Sequence, residues 1–137
     1  MKHIIKLLFG SALVFAMSCH KDKDQPASAS LSSVLTQGSW MIHYYFDNKD
    51  ETSTFAGYTF TFSASGTFTL KKGAESYTGS WQEVTDNGKK KLVIQVNTIN
   101  FIQKLNDDWE VRSYNATFVE LNDDNAGSNH QLHLMRI

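Results

Sequence analysis

One cysteine, one proline and no apolar run long enough to span a bilayer mark this chain of 137 residues. A single cysteine excludes an internal disulfide, so packing alone must hold any domain together. The only proline, Pro26, falls ahead of every run that reads as strand. The longest apolar stretch, Leu7 to Met17, covers eleven residues, where a transmembrane helix needs roughly 20. Basic residues are not in excess either: the formal net charge is −1, which excludes the basic footprint that nucleic-acid binding leaves.

The N-terminus is organised for export. MKHIIK supplies a basic region and LLFGSALVFAMSC an apolar stretch that ends in small residues, the pattern of a secretory signal over residues 1–18. An unpaired cysteine at the end of such a segment needs a chemical reason. Ala16-Met17-Ser18-Cys19 resembles the lipobox of bacterial lipoproteins. The resemblance implies diacylglyceryl transfer to the Cys19 thiol, anchoring in the membrane through lipid, and residence in the outer membrane of the cell envelope. Two or more acyl chains, at about 0.8 kcal/mol per buried methylene, make such an anchor stable. Residues 19–34 then read as a flexible tether of charged and small side chains. Within it, Lys21-Asp22-Lys23-Asp24 resembles the export signal of surface-exposed Bacteroidetes lipoproteins, or is equally well a solvated spacer.

Residues 35–137 form one domain with one modest core. Without residues 1–18 the chain keeps eleven basic residues against fourteen acidic ones, a net charge of −3. Eight runs read as strands by alternation: 39–46, 58–63, 67–71, 75–83, 90–97, 108–114, 117–121 and 130–136. In GYTFTFSASGTFTL, Tyr58, Phe60 and Phe62 share one face and Thr59, Thr61 and Ser63 the other, with a turn before Phe68 and Leu70. Asp86-Asn87-Gly88 is the strongest hairpin signal in the chain. Antiparallel strands joined by tight turns leave two sticky edges, which closure removes. The expected fold is therefore all-β, an eight-stranded antiparallel up-and-down barrel. Its strands are mostly shorter than the roughly 9–11 residues per crossing that a membrane barrel needs. Two connections are long, 47–57 and 98–107; Ile99, Ile102 and Leu105 give the second an apolar face for a short helix or lid.

QGSW at 37–40 and TGSW at 78–81 place two of the three tryptophans behind the same Gly-Ser pair. Blades of a repeat would need at least three copies, so the two read as strand starts where glycine permits close packing. Gly38-x-Trp40 opening the first strand, the long loop after it and Arg136 on the last strand resemble the lipocalin-like lipoproteins of Bacteroidetes, and more distantly the lipocalins. The resemblance implies that Trp40 plugs one end of a lipocalin-like barrel with Arg136 packed across it, and that the 47–57 loop is a lid at the other.

Chemistry is sparse. His130 and His133 lie three apart in a strand and point to opposite faces, and no third ligand accompanies His43, so no metal site is expected. Asn122 to Gly127 imitates a calcium loop but has His133 where a bidentate Glu is needed. Asp107, Asp108 and Glu110 alternate faces and read as turn and strand residues rather than paired acid and base. Lys89-Lys90-Lys91 reads as a solvated hairpin. What remains is an aromatic face, Tyr44, Phe46, Tyr58, Phe60, Phe62, Tyr77 and Trp81, joined by Phe68, which either fills the barrel or lines a pocket. The expectation is a monomeric, non-enzymatic, lipid-anchored protein without cofactor that binds a small apolar or amphipathic ligand inside the barrel. The alternative is an interaction module whose loops bind a protein or glycan at the envelope.

Overall fold

A computed structural model describes residues 28–137. A short helix, α1 (Leu31–Leu35), precedes eight strands: β1 (Trp40–Phe46), β2 (Thr59–Phe62), β3 (Thr67–Lys72), β4 (Glu75–Asp86), β5 (Lys89–Val96), β6 (Asp107–Tyr114), β7 (Phe118–Asn122) and β8 (Gln131–Arg136). Each strand pairs antiparallel with its neighbours in the chain, and β8 pairs with β1 to close a barrel. Single turns of 3₁₀ helix lie in the β1–β2 loop (Thr52–Phe55) and the β5–β6 loop (Phe101–Leu105). Among the described residues no helix is long and apolar enough to cross a membrane.

Alternation decides what is inside. Phe60 and Phe62 of β2, Phe68 and Leu70 of β3, Leu92, Ile94 and Val96 of β5, Val119 and Leu121 of β7, and Leu132 and Leu134 of β8 are all buried. The β4–β5 hairpin turns in two residues, Asn87 (φ 49°) and Gly88 (φ 77°), between the paired Asp86 and Lys89. Both left-handed centres suit the Asn-Gly signal.

The strands departed from simple alternation at one decisive place. The β1–β8 register shifts between Ile42 and Tyr44. Trp40 and Ile42 face inward, and after the bulge Tyr45 takes the inward place expected of Tyr44. A bulge adds one residue to one strand and so reverses the facing of everything after it.

Both ends of the barrel are covered by side chains. Leu31, Val34 and Leu35 of α1 are buried over the end where β1 begins. Leu31 and Val34 fall in the segment whose composition reads as tether; spaced i, i+3, i+4 with Leu35 on a capped turn, they are instead part of the core. Ser30 caps the helix by accepting from Ser33 N at 3.1 Å, and Glu83 of β4 accepts from the Ser32 amide at 2.8 Å and hydroxyl at 2.6 Å. At the opposite end Phe55, Ile102 and Leu105 are buried. Ile99, expected to share their face, is 99% exposed, because the 3₁₀ turn begins only at Phe101.

The tryptophans do one job three times. Each indole N–H donates to a backbone carbonyl of a neighbouring segment: Trp40 to Leu35 O at 2.9 Å, Trp81 to Ser63 O at 2.9 Å, and Trp109 to Leu105 O at 3.0 Å. A buried indole must pair its N–H, so large apolar side chains fill the barrel while pinning α1, the β2–β3 turn and the β5–β6 loop across its ends. The two Gly-Ser-Trp glycines serve different needs. Gly38 sits at φ 97° in the turn into β1. Gly79, in mid-strand, lies so close to β5 that a Cβ there would stand 2.1 Å from Gln95 O.

Candidate functional site

The inward positions of β1, β6, β7 and β8 carry apolar residues through the core and then, one step beyond it, polar ones. Asp47 follows Tyr45 by two residues, Asp107 precedes Trp109 by two, Asp123 follows Leu121 by two and His130 precedes Leu132 by two. These four strands are consecutive around the barrel, in the order β6, β7, β8, β1. Period-two alternation thus assembles an arc of three carboxylates and an imidazole on one rim.

His130 sits in the middle of the arc. Its Nε2 lies 2.9 Å from Asp47 Oδ1 and its Nδ1 3.6 Å from Asp123 Oδ2. Asp107, Asp123 and His130 offer ligand atoms that all lie within 4.8 Å of one another. The Asp123 side chain is only 5% exposed; its Oδ1 accepts from the Asn125 amide at 2.9 Å and from Asn125 Nδ2 at 2.6 Å. Lys104, from the β5–β6 loop, reaches Asp47 Oδ2 at 3.3 Å and also pairs with Glu51. Tyr45 donates from below to Lys104 O at 3.1 Å, so the loops are tied to one another and to the core.

The electrostatics follow from this crowding. Burial pushes the Asp107 carboxyl up to about 6; the Asp108 amide opposes the rise, and the nearby Asp123 charge adds to it. Burial also works to raise Asp47 and Asp123, but both lie below the ordinary carboxylate range. For Asp47 the Lys104 and His130 contacts outweigh burial; for Asp123 hydrogen bonds from Ser128 and Asn125 do so. The Tyr45 hydroxyl is raised, first by burial and then by the charges of Asp47, Glu51, Asp107 and Asp123. The arc is suited to holding a cation. Around it Asp50, Glu51 and Asp124 are matched by Lys49, Lys104 and Lys91, so the acidic excess of the rim comes from Asp47, Asp107 and Asp123 of the arc.

Residues singled out from sequence are distributed differently. Tyr58, Phe60, Phe62 and Trp81 are buried inside the barrel, and Tyr77 packs against them from a half-buried position. Tyr44 and Phe46, expected inside, lie outside as a consequence of the β1 bulge. Tyr44 stacks on Phe46 (6.3 Å between centroids, 22° between planes) and meets His133 at 5.1 Å, beside Phe118 and His43. Gly38, Trp40 and Arg136 gather at the α1 end. The Arg136 stem runs past Gly38 and its guanidinium donates to Gln37 O at 3.3 Å. Cys19 lies outside the described residues. The lysine hairpin is paired rather than free: Lys89 meets Glu110 at 2.7 Å, Lys90 meets Glu83 at 3.0 Å, and Lys91, expected in water, is buried among Asp86, Asp108 and Asp124. The Asp107-Asp108 pair is split between faces, inward to the arc and outward to Lys91.

Open grooves lie on the outside. The largest described, about 630 Å³, runs between α1 and the β2–β3 turn, with Ser32, Thr36, Ser65, Trp81 and Glu83 among its walls. The inward aromatics other than Trp81 line none of the described cavities.

One solved structure shares this architecture. A DUF4847 family protein from Bacteroides vulgatus ATCC 8482 superposes with a TM-score of 0.57, over 79% of this chain and 98% of that one. At 15% identity the likeness is one of fold. It is a Bacteroides barrel, where the sequence resemblance pointed to a lipocalin-like family. No family model matches the chain, and no curated protein matches it.

The arc was missed in the sequence because its members come from three loops and were judged one at a time. The available signal was the alternation itself. Carried two residues past the last buried side chain of each strand, Tyr45, Trp109, Leu121 and Leu132, it places Asp47, Asp107, Asp123 and His130 on the inward side of one rim once the barrel is closed.

Proposed function

We propose that this protein is a lipid-anchored, non-enzymatic domain of the cell envelope in which a filled barrel presents its rim loops to a partner with a basic surface. The observation that carries this reading is the filled interior. Trp40, Phe60, Phe68, Leu70 and Trp109 are each at most 1% exposed. Phe60 and Phe62 both pack on Phe68, at 5.7 and 5.2 Å between centroids. A small apolar ligand inside would have to displace Phe55 and Phe101, which meet each other at 5.5 Å and sit against Tyr45 and Tyr58. Binding is then a matter for the outside, and the acidic rim offers preorganised groups there. Ile99, held in water at the tip of the β5–β6 loop, supplies an apolar anchor beside them. The envelope tether rests on the sequence pattern ending at Cys19.

Site-specific photo-crosslinking in the native host tests the reading. A photoreactive residue at Ile99 or Asn48, on the rim, should yield one discrete partner adduct that Asp50→Lys abolishes. The same residue at Ala116, exposed in the β6–β7 turn beside α1 at the other end of the barrel, should yield none. Equal adducts from both ends, or no rim adduct together with stabilisation by apolar ligands, would return function to the interior. For the tether, Cys19→Ala should move the protein out of the detergent phase; retention there would sink the anchor.

A further inference from the structure

We infer that the rim arc is a divalent metal site, with His130 Nδ1, Asp123 Oδ2 and a carboxylate oxygen of Asp107 as ligands and zinc as the ion best matched to them. The inference deepens the rim reading above. It rests on how the polar atoms of the arc are paired. His130 Nε2 stands 2.9 Å from Asp47 Oδ1; with the ring proton on that nitrogen, Nδ1 is the atom that can ligate. His130 Nδ1 lies 3.6 Å from Asp123 Oδ2, beyond hydrogen-bond range. Both hydrogen bonds that Asn125 donates to this 5%-exposed carboxylate go to Oδ1, and Oδ2 is the oxygen beside the imidazole. Asp107 adds a third acceptor; the Asp108 amide, at 2.9 Å, serves only its Oδ1.

Three acceptors converging within 4.8 Å ask for a cation between them. Zinc bonds at about 2.0–2.2 Å would draw them to about 3.3 Å apart, a closure that side-chain torsions can supply. Imidazole with carboxylate oxygens suits zinc better than calcium or magnesium, which prefer oxygen alone. Asp47 is placed as the carboxylate that orients a ligating histidine through its far nitrogen. Lys104 holds Asp47 from the other side at 3.3 Å. Three protein ligands leave a fourth position open at the rim, within reach of a partner's imidazole.

Zinc titration of the folded full-length chain by calorimetry tests the site, in a Cys19→Ser, His20→Gln background that removes the zinc-competent side chains after the signal. One equivalent should bind. His130→Gln should weaken binding at least 100-fold, and Asp47→Asn by about 10–100-fold, as loss of an orienting carboxylate does. His43→Gln and His133→Gln should leave it unchanged. Circular dichroism of each variant shows that the barrel is intact. No saturable binding by the parent, unaltered binding by folded His130→Gln, or loss in the His43 or His133 variants would each overturn the inference. Partner crosslinks from Ile99 that persist in chelator, with no zinc bound in calorimetry, would overturn the metal site and leave the docking surface standing. Zinc binding without rim crosslinks would do the reverse.

Discussion

Replacing Phe60 with alanine asks whether the barrel is packed or hollow. Phe60 is 1% exposed and its ring lies 5.7 Å from that of Phe68, so its removal forfeits both transfer energy and packing. Burial of a phenylalanine side chain is worth about 1.5–3 kcal/mol. In a packed interior, the roughly 100 Å³ vacated adds about 2.4 kcal/mol at ~24 cal/mol per Å³ if the walls do not relax. The two sum to about 4–5 kcal/mol at most, and partial collapse brings the expectation to about 3–5 kcal/mol. A hollow barrel would already leave this ring facing space, and the cost would fall below about 1.5 kcal/mol. Urea denaturation followed by tryptophan fluorescence measures the difference, with an unchanged m-value required for a clean comparison. Because a domain of this size has only about 5–15 kcal/mol to lose, Phe60→Leu gives a milder second point, at about 1.5 kcal/mol or less. Benzene should raise the melting temperature of Phe60→Ala alone, since a dry apolar cavity accepts it. A loss under about 1.5 kcal/mol, or benzene stabilising the parent equally, would refute the reasoning.

Two further substitutions probe how the barrel is closed. Gly79→Ala places a Cβ 2.1 Å from Gln95 O, a clash with backbone, and should cost 4 kcal/mol or more; Gly73→Ala, at φ 56° with open space around it, should cost only about 1–2 kcal/mol, and equal losses would contradict the close approach of β4 and β5. Burial alone would raise Glu83, but Ser32 and Lys90 hold it below the usual carboxylate range, so its contribution is present above an ordinary Glu pKa and is lost as acid titrates it. Glu83→Gln should therefore cost about 0.5–1 kcal/mol at neutral pH and progressively less as the pH falls below the ordinary Glu pKa and through the lowered folded one, and a deficit that does not change with pH would assign the effect to shape rather than charge.

Most of the barrel could be read from period-two alternation, because each strand has one dry face and one wet one. What escaped was set by single residues or by closure. The β1 bulge is one added residue with no composition signal, yet it moved Tyr44 and Phe46 outside and brought Tyr45 in. The helix α1 is a single turn, too short for helical periodicity to stand out from a polar tether. Asp123 and His130 flank a single loop and Asp107 opens β6, so the pairing of β6, β7 and β8 brings them together, and only closure of β8 on β1 adds Asp47. Gly38-Ser39-Trp40 was legible as a strand start, whereas Gly79-Ser80-Trp81, read the same way, lies in the middle of β4, where the glycine answers the close approach of β5. That every indole N–H would staple a segment across a barrel end depended on where those segments fold.

The central claim is that the barrel is a filled scaffold and that recognition takes place outside it. Methyl-resolved NMR of the full-length chain, titrated with apolar and amphipathic metabolites, tests it most directly. The account predicts that the methyls of Leu70, Ile94 and Leu132 keep their shifts throughout. Saturable shifts of these interior methyls, accompanied by movement of Phe55 and Phe101, would contradict it and place the ligand inside the barrel.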